Sequence, residues 1–142
     1  MVKQISVFLE NKAGRLASVT RVLGDAGINI RALSIADTSD FGVLRLIVND
    51  PDKAYRILKE AGFTVSQTDV VAVSVPDRPG GLAEILEVMA EADINIEYLY
   101  AFIGTTARNA LVIFKVEDVE KTTSFFKDKG IKFLGASEIY SL

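Results

Sequence analysis

Histidine and cysteine are both absent from the 142 residues. Without an imidazole, no side chain has an ordinary pKa close to neutrality, which excludes Ser-His-Asp and Cys-His constellations and every His-ligated metal site. Without a thiol there is no cysteine nucleophile, disulfide, iron–sulfur cluster or thiolate zinc site. Neither of the glycine loops that cradle phosphates, G-x-x-x-x-G-K-[ST] or G-x-G-x-x-G, occurs. Long hydrophobic runs are missing too. None approaches the ~18 to 20 residues that span a bilayer, and residues 1–10 alternate in character where a signal peptide would be continuously apolar, so a cytoplasmic location and no membrane partner are expected. Charge of one sign is also lacking: 16 Lys and Arg stand against 19 Asp and Glu, a net of −3, with no basic cluster to neutralise a phosphate backbone, so nucleic acid is not an expected partner. An enzyme made from this chain would have to rely on carboxylates, Lys, Tyr, Ser and Thr. These absences point to binding rather than catalysis, with no cofactor and no metal.

What the chain does contain is apolar residues, 49% of the total, enough for a packed core in one ordinary domain or two small ones. A shift of 66 residues aligns positions 5–34 with 71–100 without a gap, and ten of the thirty pairs are identical, among them Gly14/Gly80, Leu16/Leu82, Ile28/Ile94, Asn29/Asn95 and Ile30/Ile96. Further along the shift becomes 68, pairing Asp50 with Asp118, Lys53 with Lys121 and Gly62 with Gly130. The chain is an internal duplication with two extra residues near the middle of the second copy, where a hairpin loop accommodates them. The expected division is 1–68 and 69–142.

Periodicity changes in the same order in each copy. Residues 2–10 alternate Ile5, Val7 and Leu9 against Gln4, Ser6 and Glu10, a half-buried strand interrupted by Phe8. Residues 14–26 place Leu16, Val19, Leu23 and Ala26 on one helical stripe that Gly27 ends. Two β-rich runs, 28–36 and 41–49, flank the turn Asp37-Thr38-Ser39-Asp40. Asp50-Pro51 opens a second helix closed by Gly62, with Ala54, Tyr55, Ile57, Leu58 and Ala61 inward, and residues 63–67 form a last strand. The second copy repeats this with strands at 70–75, 94–103, 109–116 and 131–134 and helices at 80–92 and 118–129, the first of these with Leu82, Ile85, Leu86, Met89 and Ala92 inward. The order β-α-β-β-α-β is the ferredoxin-like split unit, an antiparallel sheet with both helices on one face. The fold class is therefore α+β, with two such repeats. One repeat alone buries little apolar area, so the copies are expected to associate, and two chains to form a homodimer. Residues 136–142 correspond at the shift of 68 to residues 68–74 and are expected to add an edge strand, with Ile139 and Tyr140 on opposite faces.

Two repeated features are candidates for chemistry. The first strand runs into Asn11-Lys12-Ala13-Gly14-Arg15-Leu16, its counterpart into Asp77-Arg78-Pro79-Gly80-Gly81-Leu82. On one reading Gly gives the turn its freedom and Asn11 or Asp77 caps the helix. On the other, the helix start offers free N–H groups and partial positive charge to a carboxylate while Asn11 or Asp77 holds an ammonium beside it, a fit for a free α-amino acid. The second feature is Gly27-Ile28-Asn29-Ile30, repeated as Asp93-Ile94-Asn95-Ile96. Asn is a poor strand former whose amide needs partners. It either hydrogen-bonds to the end of the preceding helix or contacts a ligand.

The pattern [ND]-x-x-G-x-L, then about 13 residues, then [GD]-I-N-I, on a βαββαβ repeat, resembles the ACT domain, a small-molecule-sensing module of amino-acid metabolism, in two tandem copies covering essentially the whole chain. Asp77-Arg78-Pro79-Gly80-Gly81-Leu82 is close to the family's D-x-P-G-x-L loop, while Ala13 stands where the family usually has Pro. The resemblance implies a non-catalytic, allosteric sensor that binds an amino acid at domain interfaces. Its ligand loop falls on Asn11, Ala13, Gly14, Arg15 and Leu16 and on Asp77, Pro79, Gly80, Gly81 and Leu82, and its second-strand Asn on Asn29 and Asn95. Where serine-sensing members carry a His two positions before the loop Asn, this chain has Leu9 and Val75, which argues against a serine-type ligand. The partner implied is a separate metabolic enzyme. The alternative is a ligand-free structural or docking subunit, such as a regulatory subunit of the acetolactate-synthase type.

The copies differ in charge. Residues 1–69 carry nine basic and eight acidic side chains, residues 70–142 seven and eleven, and Arg21 in one first helix answers to Glu87 in the other. Glu84, Glu87 and Glu91 recur at helical spacing on a solvated or partner-facing stripe. Asn11 and Asn29 make the first copy a neutral cradle for a zwitterion, whereas Asp77 in the second would repel a carboxylate. The first copy is the expected tighter site.

Overall fold

A computed structural model describes residues 1–37, 40–103 and 109–142. Thr38 and Ser39 of the first expected hairpin turn lie outside the described residues. The elements in chain order are β1 (Val2–Glu10), α1 (Arg15–Asp25), β2 (Ile30–Asp37), β3 (Phe41–Val48), α2 (Pro51–Glu60), β4 (Thr64–Pro76), α3 (Gly81–Glu91), β5 (Ile96–Ala101), β6 (Asn109–Val116), α4 (Val119–Lys129), β7 (Phe133–Leu134) and α5 (Ala136–Tyr140). This is the α+β order of two βαββαβ repeats. Two compact units result: Lys3–Thr68 with Tyr140–Leu142, and Asp69–Ile139 with Met1–Val2. Each chain end thus joins the other copy's unit, which the simple 1–68 and 69–142 division does not foresee. No helix among the described residues is long and apolar enough to cross a membrane.

In the first unit β3 lies between β1 and β2, antiparallel to both, with Ile5 opposite Leu46, Leu9 opposite Gly42, Glu10 opposite Phe41 and Asp37 opposite Gly42. The period of two sends Ile5, Val7, Leu9, Leu44, Leu46 and Val48 to one face, where they pack with Val19 and Leu23 of α1 and Ala54 and Leu58 of α2. Leu23, Leu44, Leu46 and Leu58 are fully buried, each side chain worth roughly 1.5 to 3 kcal/mol relative to exposure. Helix α2 begins as its sequence says: the Asp50 carboxylate accepts from the Lys53 N–H at 3.2 Å and Pro51 occupies the first turn. Its repeat partner does the same, Asp118 accepting from the Lys121 N–H at 3.0 Å to start α4.

In the second unit β6 lies between β4 and β5, and β7 pairs with β4 on its other side. Val71, Val73, Val75, Val112, Phe114 and Val116 pack against Ile85 and Met89 of α3 and Phe126 of α4.

Four expectations are corrected. Residues 63–67 and 70–75 are not separate strands; β4 is one strand of 13 residues from Thr64 to Pro76, because no Gly or Pro interrupts a β-prone run. Residues 136–142 do not form an edge strand. Residues 136–140 are the short helix α5, in which the Glu138 carboxylate accepts from the Gly135 N–H at 3.2 Å and the Ile139 N–H donates to the Gly135 carbonyl at 3.1 Å. Ala-Ser-Glu at its start lacks the valines that hold residues 70–75 extended. Ile139 is fully buried, and the Tyr140 hydroxyl accepts from the Lys3 N–H at 2.8 Å. Gln4, expected among the exposed polar positions, is fully buried and donates to the Ser6 hydroxyl at 3.1 Å. Its neighbours on that face, Ala32 and Ile47, are buried as well, so this end of the second sheet face is sealed from water. Leu16, assigned to the buried stripe of α1, is 43% exposed, because it sits in the first turn beside a cavity instead of over the sheet.

Candidate functional site

The loop after β1 turns sharply. The Lys12 N–H donates to the Glu10 carbonyl at 2.8 Å, the Asn11 N–H to the Asp40 carbonyl at 2.9 Å, and the Arg15 N–H to the Lys12 carbonyl at 3.3 Å. Gly14 precedes α1 at φ 89°, a left-handed conformation that favours glycine, and offers no side chain to cap the helix. The position before each helix is thus held by a glycine, and the capping role considered for Asp77 is not realised. Gly80 starts α3 at φ 84° in the same way, again without a side-chain cap. Two of the sequence candidates thus act through backbone shape rather than side-chain chemistry.

Beneath the first loop lies a cavity of about 150 Å³. Its apolar wall is Leu9, Leu16 and Ile35. Around it stand Glu10 and Asp37, Lys12 and Arg15, and the Asn11 amide. On the outer side of the same loop Glu10, Asn11 and Lys12 also border an open cleft of about 500 Å³ with Asp40 and Phe41. The Arg15 guanidinium is held 5.2 Å from the centre of the Phe63 ring, with its Nε buried and lacking a hydrogen-bond partner. Lys12 reaches back to the Glu10 carboxylate at 2.9 Å. Its hydrogen bond and charge hold the Glu10 carboxyl below its ordinary pKa. The first turn of α1 carries no acidic residue.

The second loop is built differently from equivalent positions. The Arg78 guanidinium grips Glu84, in the first turn of α3, with both nitrogens, at 3.1 and 2.8 Å, which raises the Arg78 pKa. The Gly81 N–H donates to the Arg78 carbonyl at 3.0 Å. A Cβ on Gly81 would overlap the Pro76 carbonyl oxygen and lie 3.1 Å from its carbon. The first copy has Arg15 at this position, where a long side chain fits. Asp77 and Pro79 are exposed, and Leu82 is partly buried against the second core. With Asp77 and Glu84 both at the start of α3, the electrostatics there oppose a bound carboxylate.

Asn29 does not meet Asn11. It stands just before β2, while the cavity uses Ile35 and Asp37 at that strand's other end, about 20 Å along at ~3.3 Å per residue. The Asn29 N–H donates to the Asn49 amide oxygen at 2.9 Å, and its carbonyl accepts from the Asn49 N–H at 3.2 Å. Asn95 meets the corresponding residue through its side chain instead, its amide donating to the Glu117 carboxylate at 3.1 Å. It borders a recess of about 40 Å³, room for one water. Both Asn residues clasp the far ends of their hairpins, not the preceding helix. The neutral cradle of Asn11 and Asn29 within one copy is therefore not formed. Ala13 is exposed at the loop apex, outside the cavity wall.

Sequence reasoning missed Glu10, Lys12, Ile35, Asp37, Asp40 and Phe41. Glu10 and Lys12 flank Asn11 in the chain without having been singled out, whereas Ile35, Asp37, Asp40 and Phe41 reach the loop by strand pairing, which sets Glu10 opposite Phe41 and Asp37 opposite Gly42, and no local motif marks these four. Among the described residues no group of three or more acidic side chains is arranged to hold a metal ion.

Comparison with known proteins yields a family model, described as an ACT domain pair, that matches residues 1–142. Among solved structures, protein BT0572 from Bacteroides thetaiotaomicron is 45% identical, aligns over 99% of this chain and 96% of its own, and superposes with a TM-score of 0.93. The regulatory subunit of aspartate kinase from Thermus thermophilus, in a ligand-free form, aligns over 89% of this chain and 91% of its own at 19% identity and a TM-score of 0.66. Its counterpart from Thermus flavus aligns over 88% of both chains at 18% identity and 0.63. At such identities the last two establish the fold alone. No curated protein matches the sequence.

Proposed function

The chain belongs to the ACT domain pair family, and on that footing we propose that it is a non-catalytic regulatory protein that binds a free amino acid at the loop of residues 10–12. The observation that carries this reading is the charge arrangement around that loop. Glu10 and Asp37 can receive an ammonium; Lys12, Arg15 and the Asn11 amide can receive a carboxylate; Leu9, Leu16 and Ile35 supply apolar wall. Such a set suits a zwitterion better than a simple anion or cation. The start of α1 adds partial positive charge on the carboxylate side.

One site per chain follows. The second loop is less suited: Gly81 lies close against the Pro76 carbonyl where the first copy has Arg15, and Asp77 adds negative charge there. The regulatory role is supported by the fold shared with aspartate kinase regulatory subunits. On this reading the protein acts as a homodimer on a separate enzyme of amino-acid metabolism, and ligand binding biases that association.

A thermal-shift screen of the twenty amino acids tests the proposal. A ligand at a hundredfold excess over its Kd adds about 2.7 kcal/mol to the native state. Calorimetry should then show Asn11→Ala weakening binding about tenfold or more through loss of a hydrogen bond to a charged group, with Asp77→Ala and Asn95→Ala near wild type. No stabilisation by any amino acid would refute the reading in favour of a docking subunit.

A further inference from the structure

Resting on the amino-acid reading above, we infer that the ligand's side chain is aromatic and lies on the outer side of the loop, against Phe41 and Phe8. These two rings are 54% and 49% exposed, Phe8 and Phe41 respectively, with centroids 6.2 Å apart and planes tilted by 54°. A single exposed aromatic is ordinary. A contacting pair beside a cleft ringed by charged groups is not, since both rings leave apolar surface in water that a bound ring would cover.

The duplication shows that the fold does not need them. Phe8 and Phe41 correspond to Ser74 and Asn109 in the second copy, where Asn109 faces Pro76 in the ladder as Phe41 faces Glu10. Both copies make the same strand order, one with the aromatic pair and one without. The pair therefore belongs to something that only the first copy does.

Cavity size decides the side of the loop. The inner cavity of about 150 Å³ is below the ~300 to 1,000 Å³ of most small-molecule sites and has room for the head group or a short side chain. The outer cleft of about 500 Å³ falls within that range. It begins at Glu10, Asn11 and Lys12, which border both spaces and hold the head group, and leads past Asp40 to the Phe41 ring. The Glu10–Lys12 pair that occupies this position is exposed on both sides, 72% for Lys12 and 48% for Glu10, so a zwitterion can replace it with little loss. The ligand's ring then packs edge-to-face or offset on Phe41, with Phe8 behind.

The chain contains no Trp, so L-tryptophan excited at its own absorption edge reports binding without protein background. The expected result is a saturable blue shift of its emission, competed by L-phenylalanine and L-tyrosine, with L-leucine and L-serine at least tenfold weaker. Phe41→Asn and Phe8→Ser, the residues of the sister copy, should each weaken L-tryptophan binding about three- to tenfold while leaving the ligand-free melting temperature nearly unchanged. If both variants bind L-tryptophan as the wild type does, or if indole alone binds as tightly as L-tryptophan, the inference is overturned. If an aliphatic or polar amino acid binds through Asn11 without regard to either Phe, this inference fails and the amino-acid site stands. If no amino acid binds, both fall together.

Discussion

Replacing Gly81 by alanine tests the account of the second loop at a single atom. Gly81 is buried and its φ lies outside the left-handed region, so the added methyl meets no conformational penalty of its own. The strain is one of space. The new Cβ would overlap the Pro76 carbonyl oxygen, approach its carbon to 3.1 Å and the Pro76 Cβ to 3.4 Å. These are backbone and ring atoms that cannot rotate aside, and Pro76 ends β4, where its residue pairs with Asn109. Relief requires the loop or the start of α3 to move, with overpacking of this kind costing about 1 to 3 kcal/mol. In a chain of this length each kcal/mol lowers the melting temperature by ~2 to 4 °C. Urea denaturation followed by circular dichroism should therefore show Gly81→Ala destabilised by about 2 kcal/mol with an unchanged slope. Gly24→Ala is the control of opposite sign: Gly24 lies in α1, exposed, with nothing within 4 Å of an added Cβ, so alanine should stabilise by about 0.5 to 1 kcal/mol. Gly81→Ala within roughly 0.3 kcal/mol of wild type, the error of such measurements, would refute the close approach and with it the view that this loop is fixed.

Other outcomes follow from the same structure. Asp50→Ala and Asp118→Ala each remove a carboxylate that accepts an N–H in the first turn of its helix, and each should lower stability by about 1 kcal/mol, read by denaturant titration. Tyr140→Phe deletes the acceptor for the Lys3 N–H and should lose roughly 0.5 to 1.5 kcal/mol, with faster exchange at that amide. Removing residues 136–142 takes fully buried Ile139 with it and should be more damaging than Tyr140→Phe, by ~2 kcal/mol or more on the scale of a lost core side chain. Lys12→Ala should raise the Glu10 pKa back towards its ordinary 4.5, seen by NMR titration of its carboxyl carbon. Because the Glu10 pKa is lowered in the native state, its contribution to stability is present above its unfolded pKa and lost as pH falls through the folded value. Wild type and Lys12→Ala should therefore converge in stability on the acid side.

The duplication, the helix starts at Asp50 and Asp118 and most of each helix stripe, Leu16 and Ala61 excepted, were legible in the sequence, because each is a local rule acting over three to eight residues. Alternation at Ile5, Val7 and Leu9 is sufficient to orient β1, and Asp-Pro or Gly punctuation is sufficient to place α2. The repeat then fixes the βαββαβ order twice, since a true copy must fold as its original does. The loop at residues 11–16 was also visible, from its glycine and its polar neighbour.

What the local rules could not supply is decided by pairing across the sheet. The cavity wall at Ile35 and Asp37, and the Asp40 and Phe41 side of the cleft, come from strands distant in sequence, placed by a register that sets Glu10 opposite Phe41 and Asp37 opposite Gly42. The same register carries Asn29 to the far end of β2, where its backbone N–H binds Asn49, so that two asparagines that looked like one site stand at different ends of the unit. Residues 136–142 show the converse failure: their place in the repeat answers to a strand, but α5 forms because Ala-Ser-Glu favours a turn of helix in which Glu138 holds the Gly135 N–H and Ile139 is buried. Gln4 alternates as a surface residue but is buried, because alternation states which face a side chain occupies, and only tertiary packing decides whether that face meets water.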